Sequence, residues 1–293
     1  MKHIFTLLLT CGLLLGALSA KTLAAEIPQA SATHQPATAA SSPAGDFTYT
    51  LLDNGFCEIT KYTGSDLVVG IPTEIDGHTV QAIGAEAFYG SNITEVVIPD
   101  TVTYVGDFAF VDCTALTTVT LPIDITCTLC ARPFTGCDQL DTIHYTYGRT
   151  GRPVEPDDAD FQRLEPAWDA DNLETIIFQD GITEISDYMF SGYTTLKNVT
   201  LPNTLTTLGY SAFYNCTSLK EIHFPASLTR IEAFAFMGCT SLTELVIPDT
   251  LTYVGYWAFE GCSNVTKITL PVDLTCDAWT EPFSGVSKLR EIH

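Results

Sequence analysis

The sequence predicts a right-handed solenoid, in which short coils stack and one side of the stack forms a parallel β-sheet. Three observations predict this fold class. Prolines recur every 23 residues, the same apolar residue types recur within each interval, and each interval contains a short alternating segment typical of a strand. A fixed period in this range indicates repeat units that bury their apolar sides only against their neighbours.

The period is most regular in the second half of the chain, where Pro202, Pro225, Pro248 and Pro271 are each separated by 23 residues. One unit carries the recurring residues Leu205, Leu208, Gly209, Ala212, Phe213, Cys216, Leu219, Ile222 and Phe224. Looser copies bring the predicted number of units to eight, marked by Phe88, Phe110, Phe134, Phe190, Phe213, Phe236, Phe259 and Phe283.

The segment from Leu219 to Phe224 predicts the strand of each coil. Ile222 and Phe224 are alternate residues, so both point inward while His223 points outward. The spacing matches the L-x-x-L-x-L core of a leucine-rich repeat. Strands of successive coils are therefore expected to pair in parallel, about 4.8 Å apart, while the repeated Phe and Ala close the core from the opposite wall.

The full unit, Pro-x-x-Leu-Thr-x-x-Gly-x-x-Ala-Phe-x-x-Cys-x-x-Leu-x-x-Val-x-Leu, resembles the BspA-like leucine-rich repeat surface proteins of bacteria and some protists, over roughly residues 46–293. The resemblance implies an exported, noncatalytic repeat protein with a role in adhesion. Where the commoner repeat type has Asn or Cys beside the strand, this chain has Thr101, Thr204, Ser227 and Thr250. We expect their hydroxyls to bond the turn backbone instead.

The start of the chain indicates export. Lys2 and His3 precede an apolar run and small residues, which predicts a secretory signal peptide over residues 1–25 rather than a membrane anchor. Cleavage after Ala25 would remove two lysines and no acid, for a mature charge of 11 − 35 = −24. Residues 26–45 are rich in Ala, Ser, Thr and Pro and predict a flexible leader.

The rest of the chain divides into a cap, two repeat blocks and an insert. Residues 46–71 predict an N-terminal cap, with a β-hairpin around the turn Asp53-Asn54-Gly55. Repeats fill residues 72–145 and 175–293. Residues 146–174 lack the repeat and predict an irregular acidic insert, either a functional loop or a tolerated bulge.

A larger duplication is also visible. Residues 98–144 and 247–293 are identical at 24 of 47 positions without a gap, and the second copy stops within a repeat block. This predicts that the sequence is a fragment, or that a cap or partner follows.

Composition narrows the classes of partner. The chain of 293 residues has a net charge of −22, which disfavours nucleic acid and anionic membrane surfaces. No later segment is apolar enough to span a membrane. We therefore expect a protein or glycan partner, and the sequence leaves the oligomeric state open.

The candidate binding residues lie in the outward column of the strands. A flat, stacked ladder of this kind is a natural docking face, although a plain solvated sheet explains the same Thr and Val residues. The candidates are Thr120, His144, Thr200, His223, Val246, Thr269 and His293.

The cysteines predict structure rather than chemistry. Five occupy one repeat position, which also accepts Ser, Tyr and Val, so we interpret them as small buried thiols: Cys113, Cys137, Cys216, Cys239 and Cys262. The pair Cys127 and Cys130 is not repeated in the duplicate, which favours a local disulfide or two free thiols over a metal site.

No catalytic, metal-binding or nucleotide-binding motif is found in the sequence, so no catalytic residue, metal ligand or cofactor is predicted. The sequence favours a secreted or cell-surface recognition protein that binds a macromolecule through its repeat face. The alternative is the noncatalytic repeat region of a larger secreted enzyme or glycan-degrading assembly.

Overall fold

The structure is a computed structural model that describes residues 43–128, 132–149, 161–163, 172–271, 274 and 281–292. These residues form twenty strands, numbered β1 to β20 in chain order, and one short 3-10 turn at Ala44–Asp46. The predicted signal peptide and nearly all of the predicted leader lie outside the described residues.

The described chain begins with the predicted N-terminal β-hairpin. Strands β1 (Phe47–Leu51) and β2 (Cys57–Tyr62) pair in antiparallel fashion. Strand β2 then pairs in parallel with β5 (His78–Ile83), which also carries the short antiparallel strand β4 (Glu74–Ile75). The hairpin therefore covers the edge of the first coil, as a solenoid requires for solubility.

The predicted parallel sheet is present, and we call it the front sheet. Its neighbouring strands are paired parallel and in register, one per coil. The strands are β3 (Val68–Gly70), β6 (Glu95–Val97), β8 (Thr118–Pro122), β10 (Thr142–Thr146), β12 (Thr175–Phe178) and β14 (Asn198–Thr200). After a break, the second part of the front sheet consists of β17 (Glu244–Val246), β19 (Lys267–Thr269) and β20 (Glu291–Ile292).

A second ladder of very short parallel strands, the back ladder, runs along the opposite wall. It was not predicted, because two-residue strands leave no alternating pattern in the sequence. Its first part continues β2 and β5 with β7 (Tyr104–Val105) and β9 (Thr126–Thr128). Its second part comprises β13 (Glu184–Ile185), β15 (Thr207–Leu208), β16 (Arg230–Ile231) and β18 (Tyr253–Val254).

The front sheet is interrupted at residues 220–224, where the sequence predicted a strand. Ile222 is buried and His223 is exposed, which confirms the predicted directions of both side chains. The segment forms no strand, however. Phe224 occupies the position of Leu201 and Ile247 in the flanking coils and is half-buried. Tyr145 and Phe178 occupy the same position within strands β10 and β12, so the size of the ring does not account for the break.

The core is a column of stacked rings. Phe213, Phe236 and Phe259 follow one another with ring centroids 5.2 and 5.3 Å apart and planes nearly parallel. Tyr62 of the hairpin extends the column in the first block, 5.2 Å from the Phe88 ring. Offset stacking at this distance suits both the rings and the separation of adjacent coils, about 4.8 Å.

Hydroxyl side chains beside the strands bond the backbone as expected. Thr204 Oγ1 donates to the Ile182 carbonyl at 2.7 Å, and Ser227 and Thr250 make the same bond to the coil before them. Thr101 is the exception, since its buried hydroxyl has no hydrogen-bond partner. By the register of β5 and β7, the corresponding carbonyl belongs to Val80 in strand β5.

The recurrent glycine is explained by the close approach of adjacent coils. A Cβ atom at Gly209 would lie 2.6 Å from the backbone nitrogen of Asp187, and one at Gly255 would lie 2.3 Å from that of Ala233. A side chain at either position would force the coils apart.

The predicted insert contains one described strand, β11 (Phe161–Arg163), which pairs in antiparallel fashion with β9 at the edge of the back ladder. At the start of the insert, the Arg149 backbone N–H and Nε both donate to Oδ2 of the buried Asp124, at 2.9 and 3.2 Å. Residues 150–160 and 164–171 lie outside the described residues.

The stacked core predicts how truncations rank in stability. Leu219→Ala and Phe236→Ala should each lower the free energy of unfolding by about 2–5 kcal/mol, because each removes a fully buried side chain between coils. His223→Ala should change it little, since His223 is exposed. Denaturant unfolding measures all three, and a larger loss for His223→Ala than for Phe236→Ala would contradict the assigned orientations.

Candidate ligand-binding surfaces

The outward column forms two aligned rows on the front sheet. In the first row Thr120 is in register with His144. His144 is in register with Ile177 on the next strand, and Ile177 is in register with Thr200 on the strand after that. In the second row Val246 is in register with Thr269. His223 lies in the interruption between the two rows, and His293 lies outside the described residues.

The members of the column differ in exposure. Thr200 and His223 are exposed and Val246 is 43% exposed, whereas His144 and Thr269 are half-buried. Thr120 is only 2% exposed, which corrects its predicted place on an open face. Its side chain lies in the row between Val97 and His144, both half-buried, and is not accessible to a ligand in this structure.

Charged and amide groups next to this column are paired across coils. Lys267 Nζ donates to Glu244 at 2.7 Å, Lys197 Nζ donates to Glu174 at 2.5 Å, and the Asn198 amide donates to Thr175 Oγ1. These exposed ion pairs add little stability. They do make the face around Thr200, Val246 and Thr269 a flat mixture of aliphatic, hydroxyl and paired charged groups.

The five repeat cysteines are buried in a row beside the ring column, as predicted. Each Sγ points to a phenylalanine carbonyl of the preceding coil; for Cys216, Cys239 and Cys262 the distances are 3.2, 3.1 and 3.2 Å. Burial raises the pKa of the Cys239 and Cys262 thiols above the ordinary value. Such thiols are weak donors in the core and poor nucleophiles. Cys127 is also buried, and Cys130 lies outside the described residues.

The described ranges contain no cluster of three His, Cys, Asp or Glu side chains arranged to hold a metal ion. Within the same part of the chain, no helix has the length and apolarity needed to cross a bilayer.

A second surface, which we call the aromatic strip, was not predicted from the sequence. It lies in the turns that follow the second part of the back ladder, on the wall opposite the front sheet. Successive ring centroids are 5.1, 5.2 and 5.7 Å apart, and the last two rings stack at 4.2 Å. The strip consists of Tyr188, Tyr210, Phe234, Tyr256 and Trp257.

The aromatic strip borders an open groove of about 300 Å³. Besides Tyr188, Tyr210 and Phe234, the groove is lined by Ser191, Ser211, Tyr214 and Met237. The sequence does contain a signal, because aromatic residues recur one or two places after the position of the repeat Gly, which is Ser186 or Glu232 in two of the four coils. The aromatic residues alternate between two positions, however, and so form no single column.

The comparisons with known proteins identify the repeat. The BspA type leucine-rich repeat matches residues 76–150 and 166–290 in six copies. A search of curated proteins finds no match.

Several solved structures are similar to this chain. A leucine-rich repeat protein of T. pallidum is 24% identical over 86% of this chain and 81% of its own, with a TM-score of 0.34. A leucine-rich cell surface protein of Faecalibacterium prausnitzii is 22% identical over 87% of this chain and 95% of its own, with a TM-score of 0.40. The pneumococcal vaccine antigen PcpA is 17% identical over 84% and 85%, with a TM-score of 0.37.

The stacked coils, the in-register front sheet and the ring column define a leucine-rich repeat solenoid. The chain belongs to the BspA-type leucine-rich repeat family, whose pattern matches more than half of its residues. Membership supports the interpretation of a noncatalytic repeat protein.

The buried thiols predict slow chemical labelling. Cys216, Cys239 and Cys262 should resist alkylation in the native protein at pH 8, because they are inaccessible and the raised pKa of Cys239 and Cys262 disfavours their reactive thiolates. In guanidinium all three should react, which serves as the internal control. Mass spectrometry of the alkylated peptides measures each site, and rapid native labelling of Cys239 would contradict the described packing.

Proposed function

We propose that this protein is an exported, noncatalytic recognition protein that binds a macromolecular partner, a protein or a glycan, at the cell surface or outside the cell. The observation that carries the proposal is the exposed part of the outward column, at Thr200, His223 and Val246. Regularly spaced side chains on a rigid stack hold their positions without a partner, so binding costs little ordering entropy.

The composition of this face supports recognition rather than catalysis. Each Thr of the column offers one hydroxyl and one methyl group and each Val offers two methyl groups, while the nearby charges of Lys267 and Glu244 are already paired. A surface of this kind binds through many small contacts over a large complementary area. A partner that spans several coils therefore gains contacts from each of them.

Export is supported by the order of charged, apolar and small residues in positions 1–25 and by membership of a family that includes leucine-rich cell surface proteins. The acidic chain also favours protein or neutral glycan partners over nucleic acid.

Export is tested with residues 1–45 fused to a reporter that lacks its own signal. We expect the reporter outside the cytoplasm of a bacterial host, with the leader removed near Ala25. A matched fusion with Leu8 and Leu14 changed to Arg should stay inside, because charges disrupt the apolar run. Retention of the unaltered fusion in the cytoplasm would contradict export.

Binding is tested with the purified chain on cultured epithelial cells. Val246→Arg should lower adhesion at least tenfold, because it places a bulky charge in the middle of the exposed column. Tyr89→Arg is the matched control, since it makes the same substitution at a side chain that is 64% exposed in the first block. Equal adhesion of the two variants and the parent would exclude the front sheet as the binding face.

A further inference from the structure

The aromatic strip is not part of the core. The core of these coils is already closed by the buried rings of Phe190, Phe213, Phe236 and Phe259. The strip lies outside them, with Tyr188 56% and Tyr256 37% exposed. The other three rings of the strip are half-buried beside them, so contiguous aromatic surface extends over four successive coils. Contiguous apolar surface of this kind marks interaction sites, unlike single scattered residues.

Three rings of the strip are carried by residues whose backbone is in the left-handed conformation. Tyr188, Phe234 and Trp257 occupy one repeat position and have φ values of 59°, 60° and 52°. Bulky residues are uncommon in this left-handed region, whereas glycine adopts it without steric cost. Ser211 adopts the same conformation between them, so the fold needs a left-handed residue there and does not need a ring. Rings kept at a sterically unfavourable position where the fold does not require them point to a role outside folding.

Negative charge stands at both ends of the strip. Asp187 precedes Tyr188, and Glu260 and Glu281 are close enough to Tyr256 that, after burial, their charges are the next cause of its raised pKa. One carboxylate oxygen of Glu260, Oε2, is buried without a hydrogen-bond partner. The residues that line the groove include no lysine or arginine.

We propose that the aromatic strip and its groove bind a basic segment of a partner protein, with arginine or lysine side chains lying over the rings and beside the terminal carboxylates. A ring face attracts a cation, and a neighbouring carboxylate strengthens the attraction. The occupant follows from charge complementarity, because the strip is flanked by acids on a chain of net charge −22. Anionic glycans and nucleic acid are repelled by the same field.

The chain already holds one of its own cations in this way. The Arg230 guanidinium carbon lies 4.0 Å from the centroid of the Tyr253 ring, and its Nε donates to Glu232. Ring and carboxylate thus share one guanidinium on the back ladder, next to the strip. The strip offers the same two kinds of group without a cation of its own among the groove residues.

This site lies in the turns after the back ladder and shares no residue with the outward column, so the proposal does not depend on binding through the front sheet. Either surface can bind while the other does not, and variants of the two surfaces separate the cases.

The test uses a fluorescent hexa-arginine peptide as the probe, with hexa-glutamate and a neutral glucose hexasaccharide as comparisons. The parent chain should bind hexa-arginine. It should bind the hexasaccharide weakly or not at all, and it should not bind hexa-glutamate. The double variant Phe234→Gly/Trp257→Gly should weaken hexa-arginine binding at least tenfold. It leaves the net charge unchanged, so non-specific attraction to the acidic surface would survive it.

Two further variants keep the test decisive if the double variant unfolds. Tyr188→Asn removes the most exposed ring of the aromatic strip and introduces a residue that tolerates positive φ. This variant should bind hexa-arginine more weakly than the parent and have the same melting temperature. Tyr89→Ala, which removes an exposed ring of the first block, should bind like the parent. Parent-like affinity of folded Tyr188→Asn and double variants would overturn the proposal. Tighter binding of the hexasaccharide, lost in the same variants, would also overturn it and assign the strip to a neutral glycan.

Discussion

The spacing between adjacent coils is the constraint on which the rest of this structure depends. Parallel strands pair at about 4.8 Å, and rings stack at nearly the same distance. The front sheet, the back ladder and the phenylalanine column therefore fit together only when every coil presents the same side chain at the same place. The glycine at 209 and 255 shows how tight this fit is, because an added Cβ would meet the backbone of the preceding coil at 2.6 and 2.3 Å.

The same constraint produces the candidate binding surfaces. Because each inward residue on a strand is followed by an outward one, an inward row that contains Ile176 and Val199 requires an outward row that contains Ile177 and Thr200. On the back wall, the turn after each short strand repeats with the same left-handed residue. That position carries Ser211 in one coil and the rings of Tyr188, Phe234 and Trp257 in the others, while the phenylalanine column behind it is unchanged.

Much of the fold could be predicted because the same residue pattern recurs in successive coils. The coils, the inward and outward residues, the hairpin and the buried thiols were all visible in spacing and alternation. The hydroxyls of Thr204, Ser227 and Thr250 were predicted from a substitution in the repeat pattern, and they bond the preceding coil as expected. Thr101 departs from this, and the coil before it contains the β4–β5 hairpin, which the repeat pattern does not reveal.

The candidate sites were less predictable for physical reasons. The exposure of Thr120 depends on what surrounds a row, not on alternation along its strand, so its burial could not be read from the sequence. The aromatic strip requires Tyr210 and Phe234, which occupy different repeat positions, to meet across coils at 5.2 Å. The break at residues 220–224 was equally invisible, because this segment has the same alternation as its neighbours, and Phe178 occupies the position of Phe224 within an intact strand.

Residue-resolved amide hydrogen exchange tests the stacking of coils most directly. The account predicts slow exchange for the paired amides of β12, β14, β17 and β19, and fast exchange at residues 220–224, where the front sheet is open. It also predicts protection of the short strands β15 and β16, since they belong to a ladder on the opposite wall. Uniformly fast exchange along both walls, or protection at 220–224 equal to that of β14, would contradict the arrangement of coils on which both proposed surfaces depend.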